Sequence, residues 1–370
     1  MNRTIALVLV SLLASGCATT GGVTSFTNAG DTANLHEKER RLWHEASGVD
    51  STIERSGQIY EDRRATAYLQ GVMDRLYPEF KGKIQVHLYD STQLNAFALP
   101  NGSIYFNIGL LARMENEAQL AAVLAHEAAH FIEKHSFRQR VSAKNLSAFA
   151  VSGIPFASLA AVSSISGFSR DLEREADMKG YERLTKAGYD PHEAHKVFEH
   201  LASEVKALGI EEPYFFSSHP QLVERIETFK ELSARRKKGG RVGAEDYNRV
   251  MQAIRLDALR KDVGQDRYKS VILVMEDPGL RRYYPASGYY YLGEAYSRRD
   301  EKGDTARALQ AWQKAEKLSP RFAPTYKSLG MHYMKTGNKG QARRYFGKYL
   351  SLASKDARDR AYVQQYMSSL

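Results

Sequence analysis

The sequence predicts an α+β fold that is mostly α-helical, with a small sheet in an N-terminal domain and only helices in a C-terminal domain. Three observations favour this fold class: apolar residues at helical spacing over most of the chain, one short segment of alternating apolar and polar residues, and a repeated pattern near the C terminus. A length of 370 residues suits two or three domains. The composition, 43% apolar and 26% charged, is that of a globular protein, and a mean hydropathy of −0.49 excludes a polytopic membrane protein.

The N terminus predicts a lipoprotein signal peptide over residues 1–16. A basic start precedes an apolar run that is too short to span a bilayer, and Ala14-Ser15-Gly16-Cys17 resembles the bacterial lipobox, in which the cysteine is acylated. Ala14 departs from that pattern, which more often has leucine there, and a plain secretory signal with a free thiol is the alternative. Because Cys17 is the only cysteine, an internal disulfide framework is excluded. We expect lipidated Cys17 to anchor the chain at the outer membrane, in the periplasm, through a flexible tether over residues 17–35.

The predicted N-terminal domain, residues 36–233, contains the alternating segment. Residues 83–89 predict a half-buried strand, and Pro100-Asn101-Gly102 predicts a turn between two further apolar segments. A long helix is expected from its N-cap Asn116 through Phe131. The other predicted segments are helices at 36–80, 170–187 and 191–207, and an interrupted apolar stretch at 146–168 that would form two packed helices or a lid.

A charged, glycine-rich stretch predicts the domain boundary. Residues 234–243 have the sequence Ala-Arg-Arg-Lys-Lys-Gly-Gly-Arg-Val-Gly, which indicates an exposed linker over 234–245. The formal net charge of +10 would suit anionic lipid, lipopolysaccharide or nucleic acid. A solvated linker explains this basic cluster better than a nucleic-acid site does, so no nucleic-acid partner is expected.

The C-terminal domain, residues 246–370, contains a repeat. Leu292-Gly293 recurs as Leu329-Gly330, and Trp312 of the first unit corresponds to Phe346 of the second. The pattern resembles the tetratricopeptide repeat, with three residues added to its usual period of about 34 residues. Small residues would let the two helices of each hairpin approach closely, while aromatic residues fill the space between hairpins. A generic helical bundle is the alternative.

The five residues His126-Glu127-Ala128-Ala129-His130 carry the strongest chemical signal. On a helix, positions i and i+4 project from one face, so both imidazoles can bind one zinc ion. Glu127 lies about 100° around the helix from His126, close enough to reach a water molecule at the metal. The predicted cofactor is therefore one Zn²⁺ per chain.

A zinc site of this kind needs a third protein ligand. His135 is expected to be a surface residue, because on a continuing helix it would point away from the site. The better candidates lie in residues 169–177, where Glu173 and Asp177 are four positions apart. One of these carboxylates can bind the metal while the other hydrogen-bonds a ligand histidine.

In combination, the HExxH motif, the SRxxExxAD motif at 169–177 and the NAFALPNG hairpin at 95–102 resemble the gluzincin family of the CAAX prenyl protease and the HtpX heat-shock protease. The resemblance covers about residues 36–232. Since the chain lacks the membrane helices of those two proteins and adds helical repeats, it is most similar to the periplasmic β-barrel assembly-enhancing protease (BepA-like) group. The resemblance implies a zincin-like metalloprotease domain. The site residues that it implies are the zinc ligands His126, His130 and Glu173 and the general base Glu127. It also implies that Asp177 hydrogen-bonds a ligand histidine without binding the metal.

Two further elements are implied to lie at the active site. Ser218-His219-Pro220 with Arg225 matches a family element, in which His219 is either a transition-state stabiliser or an inhibitory fourth ligand that swings away. Arg225 would help to hold the oxyanion, and a surface His-Pro turn is the alternative. An extended substrate backbone is expected to pair with the strand formed by Asn95, Ala96, Phe97 and Ala98.

These features predict a lipid-anchored, zinc-dependent endopeptidase of the bacterial periplasm. Its expected substrates are unfolded or misassembled envelope proteins, and its expected role is quality control of outer-membrane proteins. The alternative is a chaperone or adaptor that docks on the outer-membrane assembly machinery through its tetratricopeptide repeats, with its peptidase activity dormant. Binding of an anionic polymer is a weaker hypothesis, which predicts steep salt dependence.

Overall fold

The computed structural model describes residues 23–142, 167–209 and 222–370. Four sequence predictions lie outside these ranges: the signal peptide, the acylated Cys17, residues 146–166 of the apolar segment, and His219. Within the described ranges, none of the helices combines the length and the apolar character needed to cross a membrane.

The described residues contain a three-stranded sheet with the strand order β1-β3-β2. The strands are β1 (Gln85–Tyr89), β2 (Ala96–Ala98) and β3 (Ser103–Asn107). β2 and β3 are antiparallel across the predicted turn, where Gly102 adopts a positive φ of 98°. β1 and β3 are parallel. β2 is therefore an edge strand.

Helices make up most of the described chain, in agreement with the predicted fold class. Those of the N-terminal part are α1 (Glu37–Arg55), α2 (Arg63–Leu76), α3 (Ile108–Arg113), α4 (Glu117–Ile132), α5 (His135–Ser142), α6 (Arg170–Lys186), α7 (Ala194–Leu208) and α8 (Leu222–Ala234). Those of the C-terminal part are α9 (Ala244–Gly264), α10 (Tyr268–Glu276), α11 (Pro278–Arg281), α12 (Gly288–Arg299), α13 (Asp304–Leu318), α14 (Ala323–Lys335), α15 (Lys339–Leu352) and α16 (Arg360–Ser369).

The helix α4 crosses the centre of the N-terminal core. Every one of its residues except Ala122 is buried, and it packs beside β2, α2 and α6. On the sheet, Phe97 and Tyr105 pack with Val49 and Ile53 of α1. Polar side chains are costly to bury unless they have partners or a function, so those of α4 mark the part of the molecule where chemistry is expected.

The prediction of a flexible tether up to residue 35 is wrong for the part around Phe26. This ring is buried against Phe131 and Trp43. The Phe26 backbone N–H also donates to the carbonyl oxygen of Ile132, at 2.9 Å, where α4 ends. The surrounding threonine, serine and asparagine residues favour a loose segment, but the ring contacts of Phe26 and its backbone hydrogen bond attach this part to the core.

The predicted linker does not separate two independent units. After Gly240 the chain returns to the N-terminal core: the Asp190 N–H donates to Arg241 O at 3.1 Å, and the Ala118 N–H donates to Val242 O at 3.0 Å. The next helix, α9, buries Tyr247, Met251 and Ile254 in the same core. Residues 234–241 are exposed, as the composition predicts. The backbone pairing with distant residues was not predicted, because it leaves no mark in composition.

Buried charges also join the two parts of the chain. Arg113 of α3 lies 3.1 Å from Glu204 of α7 and 3.3 Å from Asp262 of α9, and it donates to the Ser270 hydroxyl of α10 at 2.8 Å. All four residues are buried. Because these charges are removed from solvent, the contact holds α9 and α10 in one defined position against α3 and α7.

The C-terminal part contains two helix hairpins, α12–α13 and α14–α15, followed by α16. In the first hairpin, a Cβ atom at Gly293 would lie 2.3 Å from Nε1 of Trp312. In the second, a Cβ atom at Gly330 would lie 2.4 Å from the ring of Phe346. The same contact between a glycine and an aromatic ring therefore occurs in both repeat units.

Candidate metal centre

Two helices, α4 and α6, bring the predicted metal ligands together. The Asn116 side chain caps α4 by accepting a hydrogen bond from the Gln119 N–H at 3.0 Å, as the sequence predicts. One face of α4 carries His126 and His130 one turn apart. Across from it on α6, Glu173 is grouped with both histidines.

Gly180 allows α6 to approach α4 this closely. A Cβ atom at Gly180 would lie 3.0 Å from the backbone nitrogen of His126 and 3.1 Å from its Cα atom. On α6, Gly180 follows Glu173 by seven positions, which is two helical turns, so the two residues share a face. The absence of a side chain at Gly180 thus allows the Glu173 carboxylate to reach the histidines.

His126, His130 and Glu173 form a group that fits a single zinc ion. The His126 and His130 Nε2 atoms are 3.1 Å apart, and each lies 3.5 Å from an oxygen of Glu173. Ligand atoms that lie about 2.0–2.1 Å from a tetrahedral ion are about 3.3 Å from one another. The three distances between the ligand atoms therefore agree with zinc coordination. All three side chains are buried. Two nitrogens and one oxygen are the donor set of a catalytic zinc site, which keeps its fourth position for water or substrate.

Asp177 lies behind His126. Its Oδ1 atom is 2.9 Å from His126 Nδ1. Burial acts to raise the pKa of Asp177, but the charge of Arg225 and the hydrogen bond from His126 lower it. An ionised Asp177 keeps the Nδ1 proton on His126 and directs Nε2 at the metal.

Arg225 of α8 is buried against the same carboxylate. Its Nη2 and Nε atoms donate to the two oxygens of Asp177 at 2.7 and 3.0 Å, and Nη2 lies 3.2 Å from His126 Nδ1. Burial acts to lower the pKa of Arg225. The negative charges nearby, on Asp177, Glu173 and Glu127, outweigh burial and raise that pKa. The structure thus brings Arg225 to the site, and its role with the oxyanion stays a prediction.

Glu127 follows His126 on α4 and is fully buried. Its carboxylate is close enough to help raise the pKa of Arg225. Glu127 therefore lies beside the group of metal ligands, as the sequence predicts, and its role as the general base stays a prediction.

His135 is not the surface residue that the sequence predicts. It is fully buried, and its Nδ1 atom lies 2.9 Å from Nδ1 of His130. The prediction assumed that α4 continues, but α4 ends at Ile132, and Lys134 adopts a left-handed φ of 54° that changes the direction of the chain. Burial lowers the pKa of His135 to about 4.

Sequence reasoning also missed Phe168. Its ring stacks on that of His130 with 3.9 Å between the centroids. The available signal was an aromatic residue directly before the SRxxExxAD motif. For Gly180, the signal was a small residue at helical spacing from Glu173.

The predicted substrate-binding residues, Asn95, Ala96, Phe97 and Ala98, lie on the edge strand β2 or directly before it. The Asn107 N–H donates to Asn95 O at 3.1 Å, and the Leu99 N–H donates to Ser103 O at 2.8 Å. Since pairing alternates along an antiparallel strand, the backbone groups of Ala96 and Ala98 point away from β3. Their role in substrate binding stays a prediction.

Comparison with known proteins gives a consistent result. Residues 62–233 match the model of the family described as peptidase family M48. Over 163 residues the chain is 32% identical to the mitochondrial metalloendopeptidase OMA1 of Schizosaccharomyces pombe. This aligned region covers 40% of the present chain and 46% of OMA1. Over 213 residues it is 24% identical to the β-barrel assembly-enhancing protease of Yersinia pestis, and the alignment covers 52% of this chain and 44% of that protease. Over 156 residues it is 33% identical to the putative β-barrel assembly-enhancing protease of Vibrio cholerae, covering 37% and 32%.

The chain therefore spans less than half the length of these relatives. The matches confirm the metallopeptidase resemblance predicted from the motifs. Together with the His126, His130 and Glu173 group, they confirm the prediction of one zinc ion.

Proposed function

We propose that this chain, whose residues 62–233 match the model of peptidase family M48, is a zinc-dependent endopeptidase of the bacterial envelope that cleaves unfolded or misassembled proteins. The observation that carries the proposal is the buried group of His126, His130 and Glu173, with Glu127 adjacent to it on α4. Two imidazoles and a carboxylate with zinc-like spacing, beside a second carboxylate, are the parts that metal-assisted hydrolysis of a peptide requires.

Zinc held by His126, His130 and Glu173 would act as a Lewis acid and would lower the pKa of a water molecule, so that the water can lose a proton near neutral pH and become a nucleophile. Glu127 takes a proton from the attacking water and delivers it to the nitrogen of the leaving amine as the C–N bond breaks. Asp177 holds the His126 ring in one tautomer throughout. Arg225 is a fixed positive charge near the ligands and favours the negative charge that develops on the carbonyl oxygen.

The edge strand β2 supports a preference for extended substrates. The backbone groups of Ala96 and Ala98 that face away from β3 are buried, so a substrate strand pairs with them only once this edge is uncovered. Such pairing gives affinity that depends little on the substrate's side chains. Folded proteins rarely offer an unpaired strand, whereas unfolded or misassembled chains do. This selectivity suits a quality-control peptidase.

The test is zinc content and casein cleavage of the purified chain and its Glu127→Gln variant. We expect one zinc per chain in both proteins and cleavage only in the wild type. Glu182→Gln, which changes an exposed glutamate of α6, is the matched control and should cleave at the wild-type rate. Equal cleavage by the Glu127→Gln variant, or a wild-type chain that retains no zinc, would contradict the proposal.

The proposal includes export to the periplasm and a lipid anchor at Cys17 in the outer membrane. Its supports are the basic start, the short apolar run and the lipobox-like residues before Cys17, together with similarity to relatives named as β-barrel assembly-enhancing proteases. Labelling of cells with a palmitate analogue should mark the wild-type chain. A Cys17→Ala variant that is still labelled, or a wild type that is never labelled, would exclude acylation at Cys17.

An adaptor function is the second candidate, and a groove in the C-terminal part favours it. The groove has a volume of about 460 Å³ and is lined by residues of α9, α12, α14, α15 and the segment before α16, among them Tyr290, Tyr291 and Lys327. If the two hairpins are tetratricopeptide repeats, this groove is where a component of the outer-membrane assembly machinery would dock. A Glu127→Gln strain with the envelope integrity of wild type would favour the adaptor over the peptidase.

A further inference from the structure

We propose that His135 is a positioning residue of the metal centre. By accepting a hydrogen bond from Nδ1–H of His130, it fixes the tautomer and the ring orientation in which Nε2 of His130 binds the metal. This inference rests on the zinc site of the proposed function, and it assigns to His135 a role that the HExxH and SRxxExxAD motifs do not include.

The two nitrogens of His130 face different partners. Nε2 faces the candidate metal position, 3.1 Å from His126 Nε2 and 3.5 Å from an oxygen of Glu173. Nδ1 faces His135, whose Nδ1 atom lies 2.9 Å away. The ring of Phe168 stacks on His130, at 3.9 Å between centroids and 13° between planes. His135 therefore restrains the edge of the ring, and Phe168 restrains its face.

The positions of the protons follow from this geometry. A nitrogen that binds a metal carries no proton, so a neutral His130 has its proton on Nδ1. Two Nδ1 atoms 2.9 Å apart cannot both carry a proton, and His135 Nδ1 must therefore be the acceptor. The proton of His135 is then on Nε2, which lies 3.5 Å from an oxygen of Glu175, and Glu175 is held by Arg138 at 2.8 Å. His135 Nε2 makes no hydrogen bond to Glu175, which faces it only as a nearby negative charge. The donation on which the proposal depends is therefore the one from the ligand His130 to His135.

The pair formed by His130 and His135 corresponds to the pair formed by His126 and Asp177. In each pair a ligand histidine points Nε2 at the metal and Nδ1 at an acceptor, 2.9 Å away in both cases. Metal-binding histidines depend on such acceptors, and removing one typically weakens metal affinity 10–100-fold. His135 supplies for the second histidine of the motif what Asp177 supplies for the first.

The test compares His135→Leu with His135→Asn in the full chain. Both side chains branch at the same carbon, but only asparagine offers an acceptor oxygen near the position of the histidine Nδ1. By competition with a zinc chelator, we expect the leucine variant to bind zinc roughly 10–100-fold more weakly than wild type. We expect the asparagine variant to stay within about threefold. Leucine within threefold of wild type, or equal losses in both variants, would overturn the proposal.

Thermal unfolding of the metal-free variants distinguishes positioning from simple packing. If His135 only fills space, both variants lower the unfolding temperature of the metal-free protein and leave zinc affinity unchanged, which contradicts the proposal. Should neither variant fold, ¹⁵N NMR of histidine-labelled, zinc-loaded wild type decides the question. We expect a protonated Nδ1 on His130 and a bare Nδ1 on His135, and a proton on His135 Nδ1 would refute the role. Neither readout needs turnover, so an inactive but zinc-loaded chain would contradict the peptidase proposal alone.

Discussion

Gly180 on α6 packs directly against the backbone of His126 on α4, where a Cβ atom would come within 3.0 Å of the His126 nitrogen. A close approach of the two helices therefore occurs at a metal ligand. Helix packing and the position of the ligand His126 therefore share this contact.

Gly180→Ala is therefore expected to weaken zinc binding and stability together. The added methyl group would lie 3.0–3.2 Å from backbone atoms of α4, so the helices would have to shift apart by a few tenths of an ångström. We therefore expect a loss of about 1–3 kcal/mol in the free energy of unfolding and a measurable drop in zinc affinity. Chemical denaturation and chelator competition would measure the two effects. Gly71→Ala on α2 is the control, because nothing lies within 4 Å of its added Cβ atom. That variant should be more stable by about 0.5–1 kcal/mol, and a similar gain for Gly180→Ala would contradict the close contact.

Local patterns were sufficient to predict most of this centre. The spacing of His126 and His130 follows from helix geometry alone, and Asn116 marks the start of their helix by a cap that any single sequence displays. The turn at Gly102 was equally visible, because only a few residue types favour its backbone conformation.

The features that could not be predicted depend on long-range contacts or on a break in a regular element. The parallel pairing of β1 with β3 has no local signature. His135 was misplaced because nothing in the sequence indicates that Lys134 adopts a left-handed conformation after the end of α4. Likewise, Phe26 is an ordinary aromatic residue until the cluster around Phe131 exists.

Asp177→Asn is expected to reduce zinc affinity about 10–100-fold, because the amide no longer holds the Nδ1 proton of His126 as a carboxylate does. It also removes the charge that faces Arg225 in the buried interior, which should cost about 3 kcal/mol in the free energy of unfolding. Asp171→Asn on the same helix is the control, since its side chain is 92% exposed. The double variant Asp177→Asn with Arg225→Met should recover part of the stability but none of the zinc affinity. Recovery of both would place the role of Asp177 in packing alone.

Arg113→Met is expected to uncouple the two parts of the chain. It leaves the carboxylates of Glu204 and Asp262 buried without their shared cation, which should cost about 3–5 kcal/mol in the free energy of unfolding. The chain has two tryptophans, Trp43 in α1 and Trp312 in α13, so one reports on each part. Fluorescence of single-tryptophan forms should give one urea midpoint in the wild type and two separate midpoints in the variant. Two midpoints already present in the wild type would show that the buried contact does not couple the parts.

The carboxylate of Asp304 should make the stability of the C-terminal hairpins depend on pH. Asp304 accepts hydrogen bonds from Arg299 at 2.8 and 2.9 Å, and these, with the Glu301 N–H and Arg307, lower its pKa to about 2. A carboxyl group whose pKa is lowered by folding stabilises the folded state above its ordinary pKa near 4, and that contribution is lost as the pH falls through about 2. We expect Asp304→Asn to be less stable than wild type by about 1 kcal/mol at pH 7, a value reduced by solvent screening of the surface arginines. The difference should hold down to about pH 5 and shrink below pH 4.

Urea unfolding followed by Trp312 fluorescence would measure this difference in stability. Asp356→Asn is the exposed control, and it should show little effect at any pH. A difference that stays constant from pH 7 to pH 3 would mean that the ionised carboxylate of Asp304 does not stabilise this hairpin.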